Sequence, residues 1–122
     1  MKLNHLNLVV DQVPQVVHLM ETYFSFKCLE TKGENAIAIL QGADGFSLVL
    51  MKHGTPELIY PKAFHIGFML DNIALVDELH NRLLSGGIAV GDGPRKIRGS
   101  YGFYFNFDAF MIEVGVQISE AD

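Results

Sequence analysis

A chain of 122 residues that is 49% hydrophobic and 19% charged holds enough apolar material for a compact core and lies far from the composition of a disordered segment. Its net charge of -5 argues against a nucleic-acid surface, which takes Lys and Arg in clustered excess. The single cysteine excludes an internal disulfide, and no apolar run approaches the ~20 residues that span a bilayer, so the expectation is a cytoplasmic protein with neither nucleic-acid nor membrane partners.

The first strand is read in "LNHLNLVV", where Leu6, Leu8 and Val10 share one face and His5, Asn7 and Val9 the other. A helix follows, with Asp11 at or near its N-cap and Val13, Val16, Val17, Met20, Tyr23 and Phe24 at helical spacing; it ends around "FSF". Strands are then expected in "AIAIL" and "FSLVLM", and "HGTPELIYPK" is a linker with two prolines. A second strand, "FHIGFML", sets Ile66, Phe68 and Leu70 against His65, Gly67 and Met69. The next helix has Asp71 at or near its start, Ile73, Val76, Leu79 and Leu83 on its apolar side, and Gly86-Gly87 at its end. Strands are expected in "GIAV", "YGFYFNF" and "FMIEVGV", while "GPRKIRGS" is a glycine-rich loop that gathers three of the nine basic residues.

The pattern occurs twice. "HLNLVVDQVPQVVHL" and "HIGFMLDNIALVDEL" align without a gap at a spacing of sixty residues, so the chain holds two copies of one supersecondary unit. Residues 1–53 form the first, 54–62 the linker and 63–122 the second, within a single domain spanning 1–122. The fold class is α+β: two βαβββ units whose mostly antiparallel sheets curve into a cup, with helices covering the outer faces.

Both histidines lie on the less hydrophobic face of their strands. A turn at Asp108-Ala109 pairs Phe107 with Phe110, Phe105 with Ile112 and Tyr104 with Glu113, which places Tyr104, Asn106, Met111 and Glu113 on that same side. A carboxylate inside "MIEVGV" is costly unless a positive charge compensates it. Two imidazoles and one carboxylate are a donor set for Fe(II), Mn(II) or a related divalent ion, with coordination positions left for substrate. His18 and His80 fall on helices, where exposed side chains are ordinary, and His53 lies in a loop.

The paired openings "NHLNLVVD" and "FHIGFMLD" and the closing "GFYFNFDAFMIEV" resemble the vicinal oxygen chelate superfamily over almost the whole length. That superfamily includes glyoxalases, bleomycin-resistance proteins, extradiol dioxygenases and fosfomycin-resistance transferases. The resemblance implies a divalent metal (Mn, Fe, Zn or Ni) on His5, His65 and Glu113. The fourth ligand position falls on Val49, which breaks the four-ligand pattern of glyoxalase I and leaves the three-ligand pattern of the fosfomycin-resistance transferases. Asn7 stands where those transferases carry a threonine.

An enzyme acting on a small oxygen-bearing substrate is therefore expected, with Tyr104 as catalytic acid or hydrogen-bond donor. Asn7, Arg95, Lys96, Arg98 and Tyr101 are the substrate-binding candidates, the three basic residues steering an anionic group. The alternatives are a metal-free protein that sequesters a small molecule, as in the bleomycin-resistance branch, and a ring-cleaving dioxygenase. Relatives with two units usually form homodimers with sites built from units of both chains, so the resemblance leaves two pairings open: His5 and Glu113 with His65 of a partner, or with His65 of the same chain.

Overall fold

The structure is a computed structural model and describes residues 1–54 and 57–119. The chain divides into two compact units, Met1–Ile59 and Tyr60–Asp122. The division falls inside the expected linker, of which residues 55 and 56 lie outside the described residues.

In the first unit the order is β1 (His5–Val10), α1 (Val13–Tyr23), β2 (Lys27–Lys32), β3 (Ile37–Gln41) and β4 (Ser47–Lys52). The sheet runs β1-β4-β3-β2, with β1 parallel to β4 and the other pairs antiparallel. Alternation explains its two sides. Leu8, Val10, Ala38, Leu40, Leu48 and Leu50 are buried, as are Val13, Val16, Leu19 and Met20 of α1, which packs on β2, β3 and β4. The second unit repeats this: β5 (His65–Met69), α2 (Ile73–Ser85), β6 (Arg95–Ile97), β7 (Ser100–Phe107) and β8 (Phe110–Gln117), with sheet order β5-β8-β7-β6. Phe103, Phe105, Phe110, Ile112 and Val114 are buried with Val76, Leu79 and Leu83 of α2.

The helix boundaries follow from capping. Asn72, not Asp71, caps α2: its side-chain oxygen accepts from the Leu75 amide at 2.9 Å. Gln12 occupies the cap of α1 without a side-chain capping hydrogen bond, and Pro14 stands in the first turn, where its missing N–H costs nothing. The end of α2 needs glycine. Gly87, at φ +83, lets its amide reach the Leu84 carbonyl while the Ile88 amide reaches Leu83, a paired closure that satisfies two orphan carbonyls.

Three elements differ from the sequence expectation. "KCLETK" forms β2, an edge strand exposed at most of its positions. "GIAV" is not a strand: after α2 the chain runs irregularly to Pro94, although Val90 is buried. The basic stretch, expected as a loop, supplies β6 through Arg95, Lys96 and Ile97, paired with Gly102, Tyr101 and Ser100. The turn that follows places Arg98 at φ +53.

Candidate functional site

Strand register in the second unit fixes which side chains meet. On the face away from α2, His65 pairs with Met111, Gly67 with Glu113 and Met69 with Gly115. Across β8, Met111 pairs with Asn106, Glu113 with Tyr104 and Gly115 with Gly102, and Arg95 then pairs with Gly102. One row therefore reads Gly67, Glu113, Tyr104, and the next Met69, Gly115, Gly102, Arg95.

His65, Glu113 and Tyr104 converge here. His65 Nε2 lies 3.3 Å from Glu113 Oε1, and the His65 and Tyr104 rings meet edge to face at 5.7 Å between centroids. Burial, then the hydrogen bond to Glu113 and its negative charge, raise the Tyr104 phenol above its ordinary value. A phenol is protonated at neutral pH already at its ordinary value of about 10, and the upward shift keeps Tyr104 a hydrogen-bond donor further into alkali.

The other nitrogen of His65 decides what this pair can hold. Nδ1 lies 2.9 Å from the Ala63 carbonyl oxygen, which only accepts, so Nδ1 carries the hydrogen. In neutral imidazole Nε2 then presents a lone pair toward a carboxylate oxygen, and two acceptors face each other until a proton or a cation lies between them. Two donors each about 2.1 Å from one ion at roughly a right angle stand about 3 Å apart, so the donor set and its spacing fit a divalent metal. Among the described residues no group of three or more His, Cys, Asp or Glu gathers to hold an ion. Of the two pairings left open by the sequence, within one chain or across a dimer, this chain brings Glu113 to His65 of its own unit.

In the first unit the equivalent row reads Asn7, Val49, Ile39. Val49 thus matches Glu113 strand for strand, and this row has no carboxylate. His5 is exposed and its Nδ1 meets Asn4 Oδ1 at 2.7 Å; Asn7 lies two residues on, on the same face.

The remaining candidates separate by parity. Arg95 shares its face with Gly102 and Tyr104, and with them lines a recess of about 250 Å3 bounded also by Val90, Gly91, Asp92 and Gly93. Lys96 pairs with Tyr101 on the α2 side, and neither lines the recess, nor does Arg98. The Tyr101 hydroxyl donates to Asp77 of α2 at 2.5 Å, tying the helix to the sheet.

This bond and its pH dependence are testable. The hydrogen bond to Asp77, then burial, then the Asp77 charge raise Tyr101 above its ordinary value. The folded chain keeps the proton that the unfolded chain releases near pH 10, so the stabilisation is complete below about pH 10 and is lost as pH rises through the folded value. Tyr101→Phe is expected to cost about 1–2 kcal/mol at pH 7, and the gap to wild type in urea unfolding should narrow in alkali.

His80 was not legible as a site residue. Expected on an exposed helix face, it is 5% exposed, packs edge to face on Phe103 at 4.9 Å, and its Nε2 holds the Asp92 carbonyl at 3.1 Å. The signal was present in its spacing, since His80 falls on the stripe made by Val76, Leu79 and Leu83. His53, expected in a loop, lies with Nε2 2.5 Å from Asp11 Oδ1.

Two mixed four-stranded sheets, each a βαβββ unit, define the glyoxalase-type α+β class. The family model for the Glyoxalase/Bleomycin resistance protein/Dioxygenase superfamily matches residues 2–116, and the chain belongs to that superfamily. A solved structure described as a possible glyoxalase from Bacillus cereus is similar at 40% identity, with a TM-score of 0.82, covering 93% of this chain and 97% of that one. Lactoylglutathione lyase from Agrobacterium tumefaciens (21% identity, TM-score 0.71, 94% and 92% covered) shares the fold. So does the fosfomycin resistance protein FosX from Listeria monocytogenes (20%, 0.72, 98% and 96%). No curated protein matches the sequence. Among the described residues no helix is long and apolar enough to cross a membrane.

Proposed function

We propose that this chain is a divalent-metal-dependent enzyme of the superfamily, acting on a small oxygen-bearing molecule, its two units serving as one domain over residues 1–122. His65, Glu113 and His5 hold the ion, Mn, Fe, Zn or Ni, with His5 supplied by the same chain or across a homodimer. The observation that carries this reading is the opposition of His65 Nε2 and Glu113 Oε1 at 3.3 Å, with His65 Nδ1 already committed to the Ala63 carbonyl. A metal-ligating histidine characteristically donates its other N–H in this way.

When bound, the ion supplies Lewis-acid polarisation of substrate oxygens. Tyr104, kept protonated, donates a hydrogen bond to the group on which charge develops. Asn7 offers an amide on the face that carries His5. Arg95 lies on the face of Glu113 and Tyr104 and so suits substrate binding better than Lys96, Arg98 or Tyr101. The site of action is the cytoplasm, with no nucleic-acid partner.

Metal analysis of protein purified without chelators, followed by titration with each ion, tests the reading. Occupancy near one ion per chain is expected; less than about a tenth of an equivalent, unchanged by added metal, rejects it and favours metal-free sequestration. Mixing His5→Ala with His65→Ala subunits locates the third donor. A site shared between chains regains one ion per mixed dimer, and an intrachain site regains none.

A further inference from the structure

Two glycines beside Glu113 leave the sheet bare, and one methionine lies over both. A methyl group at Gly67 would have Glu113 Oε1 at 3.6 Å and the terminal methyl of Met69 at 4.0 Å, and one at Gly115 would have that same terminal methyl at 3.7 Å. Gly67 pairs with Glu113 in the sheet, and Met69 with Gly115. The Met69 thioether therefore ends over two positions that have no side chain, one row from the carboxylate.

Its surroundings set it apart from the other methionines. Met69 is 56% exposed, whereas Met20 is fully buried and Met51 and Met111 are half-buried, although Met111 stands on the same face beside His65. An exposed thioether is open to hydroperoxides. One oxygen atom passes to the sulfur: the O–O bond breaks as the S–O bond forms, the sulfur is oxidised by two electrons, and the peroxide is reduced and leaves as water or an alcohol. An apolar, pliable side chain becomes a polar one. The new sulfoxide oxygen is an acceptor set near a carboxylate, which also only accepts, so the floor then calls for a donor or a cation that the thioether did not require.

We propose that Met69 is a modification site: hydrogen peroxide or an organic hydroperoxide converts its thioether selectively to the sulfoxide, and the glycine floor beside Glu113 turns from apolar to polar. The exposure that admits the oxidant also admits methionine sulfoxide reductases, so the change is reversible. The modification does not depend on the metal-centre reading above, which concerns only what His65 and Glu113 hold.

The test uses chelator-treated protein, so that failure of the metal reading leaves its result intact. Hydrogen peroxide is added, and the oxygen gained at each methionine is followed by peptide mass spectrometry. Met69 should oxidise within about threefold of the rate at fully exposed Met1 and at least about fivefold faster than Met51 or Met111. In isotope-labelled protein the Gly67 and Gly115 amide resonances should move in step with the Met69 peptide, while those of Gly42 and Gly45 in the first unit stay in place. Reductase with dithiothreitol should return both mass and resonances. Met69→Leu, close in volume, should abolish the resonance shifts and leave oxidation of Met51 and Met111 unchanged, and its spectrum reports whether it is folded. Met51 or Met111 oxidising as fast as Met69 would overturn the proposal. So would Gly67 and Gly115 resonances that ignore oxidation of Met69, or that still move in Met69→Leu, or an added oxygen that the reductase cannot remove.

Discussion

Glu113→Ala is expected to weaken Mn(II), Fe(II), Zn(II) or Ni(II) binding by more than about a hundredfold, beyond the 10–100-fold typical of a residue that merely supports a ligand. The carboxylate is 24% exposed at the side chain and directed at His65 Nε2, so its removal deletes both a donor and the negative charge that offsets the ion. Tyr104→Phe leaves both donors in place and removes only a hydrogen bond to Glu113. It should therefore cost no more than about tenfold. Calorimetric titration of the three proteins measures the order directly. Equal affinity in wild type and Glu113→Ala would mean that His65 and Glu113 form an ordinary ion pair, and the metal centre would fall.

The meeting of His65, Glu113 and Tyr104 was legible in the sequence because two short-range rules converge on it. Period-two alternation fixed the faces of His65 and Tyr104, and the tight turn at Asp108-Ala109 fixed the register of Glu113, since a two-residue connection leaves a hairpin little freedom to slip. The observed pairs Phe107 with Phe110 and Tyr104 with Glu113 follow from that turn alone. The gapless repeat disclosed the two units, and the observed rows Asn7, Val49, Ile39 and Gly67, Glu113, Tyr104 share one topology.

What escaped lies at the sheet edges. β2 is exposed along nearly its whole length and so lacks the alternation that a half-buried strand displays. β6 is three residues long and wholly exposed; its register depends on the turn at Arg98, which composition does not reveal. Without that register Arg95 cannot be distinguished from Lys96, nor Tyr101 placed on the helix side. The N-caps moved by one residue for a local reason: Asn72 satisfies a backbone amide that Asp71, one position earlier, does not reach.

Gly102→Ala should be the most damaging small substitution in the second sheet. A methyl group there would fall on the Val114 carbonyl oxygen and lie 2.7 Å from the Gly115 Cα. Both obstacles are backbone of β8, so no side-chain rotation relieves them and the two strands must part. Overpacking of this kind costs about 3 kcal/mol or more, a large share of the roughly 5–15 kcal/mol that stabilises a domain. Gly67→Ala is the matched control, because its methyl would meet nothing nearer than Glu113 Oε1 at 3.6 Å, an ordinary contact. It should shift the urea midpoint by less than about 0.5 kcal/mol equivalent. The contrast bears on function because β7 and β8 carry Tyr104 and Glu113, so parting the strands at Gly102 disturbs the register that pairs those two. If Gly102→Ala unfolds within about 1 kcal/mol of wild type, β8 does not crowd that position.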